Sequence, residues 1–407
     1  MIARRISVLF PRAPSADARG FALLAGSEAT VRAMLVSVWP LVLYEALGSA
    51  EAVSAAYLTA GFAALTLGVM FPTLGRIVPR RWLFTAGAGL YLVGPALAIA
   101  GGPVFAPLGL FLTGWGTVAV LVCTNAYVMD YIERHALGQS ESLTLLYSAL
   151  PWALGPLLGV SAWQLWQPLP FLIAMTAGAL MLVIFWVMRL GNGKLIARAR
   201  RPPPNPLAFL GRFFAQPRLI AGWLFAVIRS VGWWVYVVYL PIFCIEAGLG
   251  DRIASVAFSV SNSLLFLSPF MARWMQTRGL RHGVRFAFAS ASGFYLLAVL
   301  SGLWPPLALI GLFGASFFLV MLDTYGSLPF LMAVKPAERT EMAAVYSSFR
   351  DVSSILTPGV AWLILLVAPI PGIFAAASLA LATAWAIAGN LHPRLGAPRP
   401  RTSHEFP

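Results

Sequence analysis

Long apolar segments, separated by short polar or turn-forming stretches, repeat along almost the whole chain. Each segment is close to the roughly 20 residues that an α-helix needs to cross a hydrocarbon core of about 30 Å. We therefore expect an all-α integral membrane protein with twelve membrane-spanning helices. The predicted spans lie near residues 20–46, 52–74, 82–100, 104–129, 142–164, 169–190, 219–245, 253–275, 284–303, 306–332, 342–367 and 372–391.

The connections between these spans divide the chain into two halves. On one side of the predicted membrane they are little more than turns, such as Gly101-Gly102-Pro103 and Pro305-Pro306. The longest connection contains the run Arg200-Arg201-Pro202-Pro203-Pro204, which is typical of a polar linker. The predicted order is an N-terminal segment (1–19), a six-helix bundle (20–190), a basic linker (191–218), a second six-helix bundle (219–391) and a tail (392–407).

An internal repeat relates the two halves. Pro40 is followed five residues later by Glu45, and Pro241 is followed five residues later by Glu246, at an offset of 201 residues. Self-similarity at a fixed offset indicates that the two six-helix bundles are pseudo-symmetric copies of one unit.

The distribution of charge predicts the orientation. Charged residues make up only 10% of the chain and hydrophobic residues 59%, which leaves too little polar surface for a water-soluble globule of 407 residues. Of the 28 basic residues, 24 fall on one side of the predicted membrane, whereas the other side keeps only Arg252. The positive-inside rule then places both termini and the linker in the cytoplasm. The remaining three, Arg32, Arg229 and Arg350, fall inside spans.

The net charge of +14 has two interpretations. It could indicate a nucleic-acid partner, but the basic residues are spread over membrane boundaries and are not gathered on one surface with aromatic residues. Membrane topology and attraction to anionic lipids are therefore favoured, and no nucleic-acid partner is expected. Arginine outnumbers lysine 26 to two, which suggests a GC-rich bacterial genome and hence the bacterial inner membrane.

Enzymatic and metal chemistry has little support in the sequence. All four histidines lie in predicted interior loops or the tail, there is no G-x-S-x-G motif, and Gly193-Lys194 is not followed by the Ser or Thr of a phosphate loop. Cys123 and Cys244 lie in apolar stretches, which is typical of packed thiols. We therefore expect neither an enzyme nor a bound metal or cofactor.

The twelve spans, the six-plus-six repeat, the basic linker and the inward termini together resemble the major facilitator superfamily. The loop after the second span supports this resemblance. The family motif there is G-x-L-A-D-R-x-G-R-R, and residues 72–81 keep its basic end, Arg80 and Arg81, but carry Arg76 in place of the acid. The resemblance implies the fold of that superfamily and a gating or packing role for this loop.

A second motif lies in the fifth span. Gly155-Pro156-Leu157-Leu158-Gly159 resembles the tail of the superfamily's antiporter motif, G-P-x-x-G-G. Gly155 and Gly159 are also spaced to let another helix backbone approach closely. The segment therefore has two interpretations, a gating motif and a helix-packing surface.

Ionisable side chains within the spans are the strongest signal of function. Each costs about 2.5–3.5 kcal/mol at the bilayer centre unless it is paired or faces water, so together they must face the interior of the bundle. We expect them to form one polar layer across several helices. They are Glu28, Arg32, Arg229, Asp323, Arg350 and Asp351.

Two of these groups have informative neighbours along the chain. Glu28 and Arg32 are four residues apart, acid first, which is the favourable order for an ion pair on one helix face; the pair is either structural or functional. Arg229 shares a helix face with Trp233 and Tyr236. A cation beside aromatic rings suits a planar or anionic organic ligand.

The resemblance to the superfamily implies that the first, fourth, seventh and tenth helices line the substrate cavity. It therefore adds Thr124, Asn125 and Tyr127 of the fourth span and Thr324, beside Asp323, of the tenth to the candidate site. Asp130, where the fourth span meets the cytoplasm, is expected in a solvated loop or a gate.

These observations favour a secondary active transporter that moves a small organic solute by alternating access. A protonatable carboxylate, Glu28 or Asp323, would couple transport to the proton gradient. The alternative is a superfamily-like receptor or assembly factor that transports nothing. Three intramembrane arginines are balanced by three acids, so the sequence does not select an anionic, cationic or zwitterionic substrate. The expected partners are this solute, protons and membrane lipids, and the expected state is a monomer.

Overall fold

A computed structural model of the protein describes residues 18–132, 137–188, 210–300, 304–325, 328–333, 346 and 348–391. Throughout these residues the chain forms α-helices joined by tight turns, with one 3-10 turn and no strand. The expectation of an all-α membrane protein is confirmed. Nearly all of the predicted N-terminal segment, most of the linker and the tail from residue 392 lie outside the described residues.

Seven described helices precede the linker. They are α1 (Ala18–Val36), α2 (Val38–Leu47), α3 (Ala50–Ile77), α4 (Arg80–Ala100), α5 (Gly102–Tyr131), α6 (Leu137–Leu165) and α7 (Leu169–Val187).

Nine described helices follow α7, and the short first one lies within the predicted linker. They are α8 (Leu210–Phe214), α9 (Pro217–Glu246), α10 (Asp251–Ser263), α11 (Ser268–Arg278), α12 (Leu280–Leu300), α13 (Pro305–Tyr325), α14 (Leu328–Ala333), α15 (Phe349–Leu365) and α16 (Pro371–Ala388).

Nine helical segments of the described chain are long and apolar enough to cross a membrane, and the bent pair α1–α2 makes a tenth. The other two predicted spans have helical counterparts that are interrupted or short. One consists of α10 and α11, with the 3-10 turn Leu264–Leu267 between them, and the other is α15, which has 17 residues. Each of the twelve predicted spans therefore has a helical counterpart.

Proline explains where two of the spans break. Helices α1 and α2 meet at Ser37 with a bend of 41°. The ring of Pro40 clashes with the carbonyl group four residues earlier, and its nitrogen has no proton to donate, so the helical ladder ends at Val36. Pro269 likewise cannot donate to the carbonyl of Leu265, which lies in the 3-10 turn between α10 and α11.

The turn between α2 and α3 is built from residues that favour helix ends. Gly48 ends α2 with φ 76°, a left-handed conformation that glycine adopts without steric cost, and its N–H donates to the carbonyl of Tyr44 at 2.9 Å. Ser49 then caps α3, because its hydroxyl accepts a hydrogen bond from the backbone N–H of Ala52 at 3.2 Å.

The helices form two compact units. The first consists of Met1–Pro203, Val237–Asn262 and Pro358–Leu363, and the second of Pro204–Tyr236, Ser263–Thr357 and Ile364–Pro407. The first unit thus contains α1–α7 together with one end of α9, nearly all of α10 and a short part of α15. The predicted bundle boundaries, 20–190 and 219–391, follow the order of the chain, whereas these units follow its packing.

Candidate functional site

The first unit contains a closed ion pair between Glu28 and Arg32, four residues apart on α1. Nε of Arg32 donates to Oε1 of Glu28, and Nη2 donates to Oε2 at 2.9 Å. Such a two-point contact between a guanidinium and a carboxylate is among the stronger ion pairs that proteins form. The Glu28 side chain is only 5% exposed, whereas that of Arg32 is 35% exposed. Both carboxylate oxygens of Glu28 are therefore occupied.

Side chains from three other helices complete this first cluster. The hydroxyl of Tyr91 on α4 donates to Oε1 of Glu28 at 3.0 Å and lies 3.0 Å from Oγ1 of Thr117 on α5. The Arg32 guanidinium lies over the ring of Trp152 on α6, 5.2 Å from its centroid. Tyr91 is fully buried, and together with Arg32 it fixes the position of the Glu28 carboxylate.

The glycines of the fifth-span motif bring α6 against α1. A Cβ atom built at Gly155 would lie 2.7 Å from the Cβ of Ala33, and one at Gly159 would overlap the carbonyl oxygen of Met34. Next to Pro156, the backbone N–H of Leu157 donates to the hydroxyl of Ser259 on α10 at 2.9 Å. In this structure the motif is thus a close-packing surface directly beside the Glu28–Arg32 pair.

The second unit contains a more open ion pair between Arg229 on α9 and Asp323 on α13. Nε of Arg229 lies 3.0 Å from Oδ1 of Asp323 but not in hydrogen-bonding geometry, and Nη1 donates to the carbonyl of Leu322 at 3.4 Å. The indole N–H of Trp233 donates to Oδ2 of Asp323 at 2.8 Å. The Asp323 side chain is 32% exposed and that of Arg229 is 11% exposed. This carboxylate is therefore more accessible than that of Glu28.

Phe349, the first residue of α15, lies between the Arg229–Asp323 pair and Arg350. The guanidinium carbons of Arg229 and Arg350 lie 5.4 Å and 5.5 Å from the centroid of its ring. Arg350 and Asp351 are both exposed, and within the described part of the chain no ion pair includes either residue. The second cluster therefore consists of two arginines on one ring and one paired carboxylate.

Contacts behind the second cluster fix its helices. Tyr236, which is buried, packs edge-on against Trp233 at a centroid distance of 5.9 Å. The hydroxyls of Ser230 and Ser353 are 2.7 Å apart and join α9 to α15. Tyr236 therefore supports Trp233 from a buried position and is not itself exposed to solvent.

The candidates of the fourth span are dispersed. Asn125 is exposed and Thr124 is half-buried, whereas Tyr127 is buried at 1% exposure. The Tyr127 ring packs against Phe185 at 5.7 Å and beneath the guanidinium of Arg80 at 5.2 Å. Its environment is therefore an aromatic and arginine cluster, separate from the Glu28–Arg32 pair.

The basic loop residues also have contacts outside the Glu28–Arg32 pair. Arg80 forms an ion pair with Asp130, which joins α4 to the end of α5, and Arg81 lies over the ring of Trp82 at 5.9 Å. The side chain of Arg76 lies outside the described residues. Thr324 on α13 donates back to the carbonyl of Val320 at 3.1 Å.

Sequence reasoning missed Tyr91, Thr117, Trp152 and Phe349. Tyr91 and Trp152 lie on helices that were not expected to contribute, whereas Thr117 and Phe349 lie on helices that already supplied candidates. The role of all four arises from contacts between helices. Only Phe349 carried a local signal, because it immediately precedes an intramembrane arginine. The predicted single polar layer corresponds to two clusters, one in each unit.

Comparison with known proteins decides the family. The family description of the Major Facilitator Superfamily matches residues 21–358. The chain belongs to this superfamily. The match covers most of the chain and confirms the resemblance derived from its spans and motifs. Membership of this superfamily points to transport rather than to catalysis.

Solved transporters of the superfamily fold share the architecture. The peptide transporter POT in complex with sulfate aligns at a TM-score of 0.72 and 14% identity, covering 93% of this chain and 94% of its own. The nucleoside transporter NupG aligns at 0.69 and 13% identity, covering 92% and 100%. The D-xylose-proton symporter aligns at 0.65 and 13% identity, covering 93% and 97%. No curated protein matches the sequence.

Proposed function

We propose that the protein is a secondary active transporter that moves a small organic solute by alternating access and couples this movement to protons. The observation that carries the proposal is the Arg229–Asp323 pair, an acid and a base within apolar helices that remain partly exposed. Charged groups at such positions are costly unless they are paired or face water, and they are typical of substrate and proton pathways. Membership of the superfamily supports the same function.

The geometry favours Asp323 over Glu28 as the proton carrier. Glu28 has both oxygens engaged by Arg32 and a further hydrogen bond from Tyr91, so a proton would have to displace a two-point ion pair in a buried site. Asp323 accepts one hydrogen bond, from Trp233, and its contact with Arg229 is electrostatic without hydrogen-bonding geometry. With 32% of its side chain exposed, Asp323 can take a proton from water.

Protonation of Asp323 would change what Arg229 can bind. The neutral carboxyl group would no longer offset the guanidinium charge, while Arg229 would keep the Leu322 carbonyl and the ring of Phe349 as neighbours. A guanidinium released in this way can bind a substrate group, and loss of the proton on the other side of the membrane would restore the ion pair. This exchange links the proton to the solute.

The orientation belongs to the same proposal. The basic asymmetry of the loops supports cytoplasmic termini in a bacterial inner membrane. We propose that the transporter works as a monomer, with one solute site for each chain.

Transport can be tested in proteoliposomes that contain the purified protein and a trapped pH-sensitive dye. A panel of organic solutes is added outside, with and without an imposed pH gradient. We expect at least one solute to change the internal pH and to accumulate only when the gradient is present. Solutes that bind the purified protein but never cross the membrane would instead support a receptor.

The variant Asp323→Asn isolates the coupling step. It should still exchange solute across the membrane at equilibrium but should not accumulate it against a gradient. Gradient-driven accumulation by Asp323→Asn at the wild-type level would contradict the role of Asp323.

A further inference from the structure

The two arginines that share the ring of Phe349 point to the chemical class of the solute. We propose that the solute is a small organic monocarboxylate whose carboxylate group binds Arg350, with Arg229 as the second cation of the site. This inference rests on the proposed transport function and makes it more specific.

The contacts within each cluster determine its net charge. In the first unit, Glu28 and Arg32 neutralise each other through two hydrogen bonds, so this pair contributes no net charge. In the second unit, Asp323 neutralises Arg229 in the same sense, although less tightly. Arg350 then adds one cation beside the ring of Phe349.

Asp351 interacts electrostatically with Arg350 but forms no ion pair with it in the described chain. It follows Arg350 directly in α15, and consecutive residues of a helix point about 100° apart. Among the described residues no ion pair joins it to Arg350 or to any other base. The balance of three arginines and three acids that the sequence suggests therefore does not hold at the level of contacts. The guanidinium N–H groups of Arg350 are therefore not engaged by a carboxylate of the described chain.

An arginine beside an aromatic ring can still bind an anion. A guanidinium stacked on a ring uses its flat face for that contact and keeps the N–H groups along its edges available. A carboxylate accepts two parallel hydrogen bonds from such an edge. Arg350 is exposed, so its edge can be reached from solvent, whereas the Phe349 ring beneath it is only 7% exposed.

Two further aromatic rings form an apolar wall beside Phe349. Phe349 lies 5.2 Å from the ring of Tyr346, which in turn lies 4.4 Å from that of Phe330. The hydroxyl of Tyr346 is buried and has no hydrogen-bond partner within the described chain. An apolar wall with an unsatisfied hydroxyl next to a cation suits an organic acid, because the wall can contact its carbon skeleton and the arginine its carboxylate.

These features select among solute classes. A neutral sugar or nucleoside would leave the N–H groups of Arg350 without an anionic partner, and an amine would be repelled by its charge. A phosphate monoester carries more than one negative charge, and in this structure Arg229 is paired with Asp323, so Arg350 alone would have to offset that charge. A single carboxylate fits the charge and the geometry together.

The test uses the purified full-length protein and a thermal-shift panel of four solute classes: monocarboxylates, phosphate monoesters, neutral sugars and nucleosides, and primary amines. Each monocarboxylate that raises the melting temperature is then compared with its own primary amide. We expect the strongest stabilisation from monocarboxylates and a loss of at least tenfold in affinity on changing the acid to the amide.

Three variants localise the effect. Arg350→Gln should abolish the preference for acid over amide, and Arg350→Lys should retain part of it, because the charge remains but the planar edge is lost. Arg252→Gln is the matched control, since Arg252 is an exposed arginine of the first unit outside both clusters, and it should behave as wild type. All variants are first compared for melting temperature and monodispersity without solute.

Several outcomes would overturn the inference. They are a panel in which no monocarboxylate stabilises the protein, a stronger response to phosphate monoesters, neutral solutes or amines, and an acid preference that survives in Arg350→Gln. Counterflow exchange in proteoliposomes separates this result from the transport function. A carboxylate that binds through Arg350 but is never exchanged contradicts transport alone, whereas exchange of a neutral solute or an amine contradicts the carboxylate site alone.

Discussion

The hydroxyl of Tyr239 on α9 lies 2.8 Å from the hydroxyl of Ser54 on α3, in a position where both residues are buried and 185 residues apart in the chain. Ser54 donates its own proton to the carbonyl of Ala50 at 2.8 Å, so Tyr239 must be the donor between the two hydroxyls. The two side chains join α3 to the end of α9 within the first unit.

We expect Tyr239→Phe to lower the stability of the protein by about 1 kcal/mol, the typical net value of one buried hydrogen bond. Ser54→Ala should cost a similar amount, and the double variant should cost less than the two together, because both changes remove the same contact. Thermal unfolding of the four proteins in detergent measures this coupling. Strictly additive effects would show that the hydrogen bond contributes nothing.

A second prediction concerns the approach of α6 to α1. Gly159→Ala should lower the melting temperature and the folded yield, because the new methyl group would overlap the backbone carbonyl of Met34. Gly89→Ala on α4 is the matched control, since a Cβ there has nothing within 4 Å, and it should be neutral or slightly stabilising by up to about 1 kcal/mol. Equal behaviour of the two variants would mean that α1 and α6 are packed less tightly.

The two carboxylates that form ion pairs within the clusters, Glu28 and Asp323, should respond differently to neutralisation. Glu28→Gln leaves Arg32 without its charge partner, and we expect a loss of stability below the about 3–5 kcal/mol of a fully buried pair, because the Arg32 side chain is 35% exposed. Asp323→Asn should yield folded protein near the wild-type level. Expression, monodispersity and melting temperature provide the comparison, and a stable Glu28→Gln beside an unstable Asp323→Asn would reverse these assignments.

Arg229→Lys tests the geometry of the second cluster without changing its charge. The guanidinium contacts Asp323, the carbonyl of Leu322 and the ring of Phe349 through different atoms, and a single ammonium cannot reproduce all three contacts. We expect transport to fall by about tenfold or more, which corresponds to the loss of one charge-assisted hydrogen bond of about 1.5–3 kcal/mol. Initial rates of uptake at equal protein density are the measurement, and unchanged rates would exclude a geometric role.

The orientation can be checked with reporter fusions. Fusions at Gly191 and after Pro407 should be active with a reporter that functions only in the cytoplasm, because 24 of the 28 basic residues fall on that side of the predicted membrane. Activity of a periplasmic reporter at Gly191 would contradict the predicted topology.

The parts of the fold that depend on local chemistry could be predicted from the sequence. Span length and hydropathy gave twelve segments that all have helical counterparts. The Glu28–Arg32 pair could also be anticipated, because four residues on one helix bring the two side chains to the same face.

The second cluster could not be predicted in the same way. Arg229 and Asp323 are 94 positions apart, and their contact depends on how α9 and α13 pack and rotate against each other. Tyr127 was predicted in the candidate site but is buried against Phe185 and Arg80. This burial is determined by neighbouring helices and not by its own span. Charge counts along a sequence likewise cannot distinguish paired from unpaired groups, as Arg350 illustrates.

The break between α1 and α2 has a mechanical consequence for the first span. Helix α1, before Ser37, carries Glu28 and Arg32. Helix α2, after Ser37, carries Tyr44, whose hydroxyl donates to Glu246 at 3.2 Å. Pro40 has no N–H to donate to the carbonyl of Val36, so the helical ladder is interrupted at this joint. The interruption therefore separates the contact between α2 and α9 from the ion pair on α1.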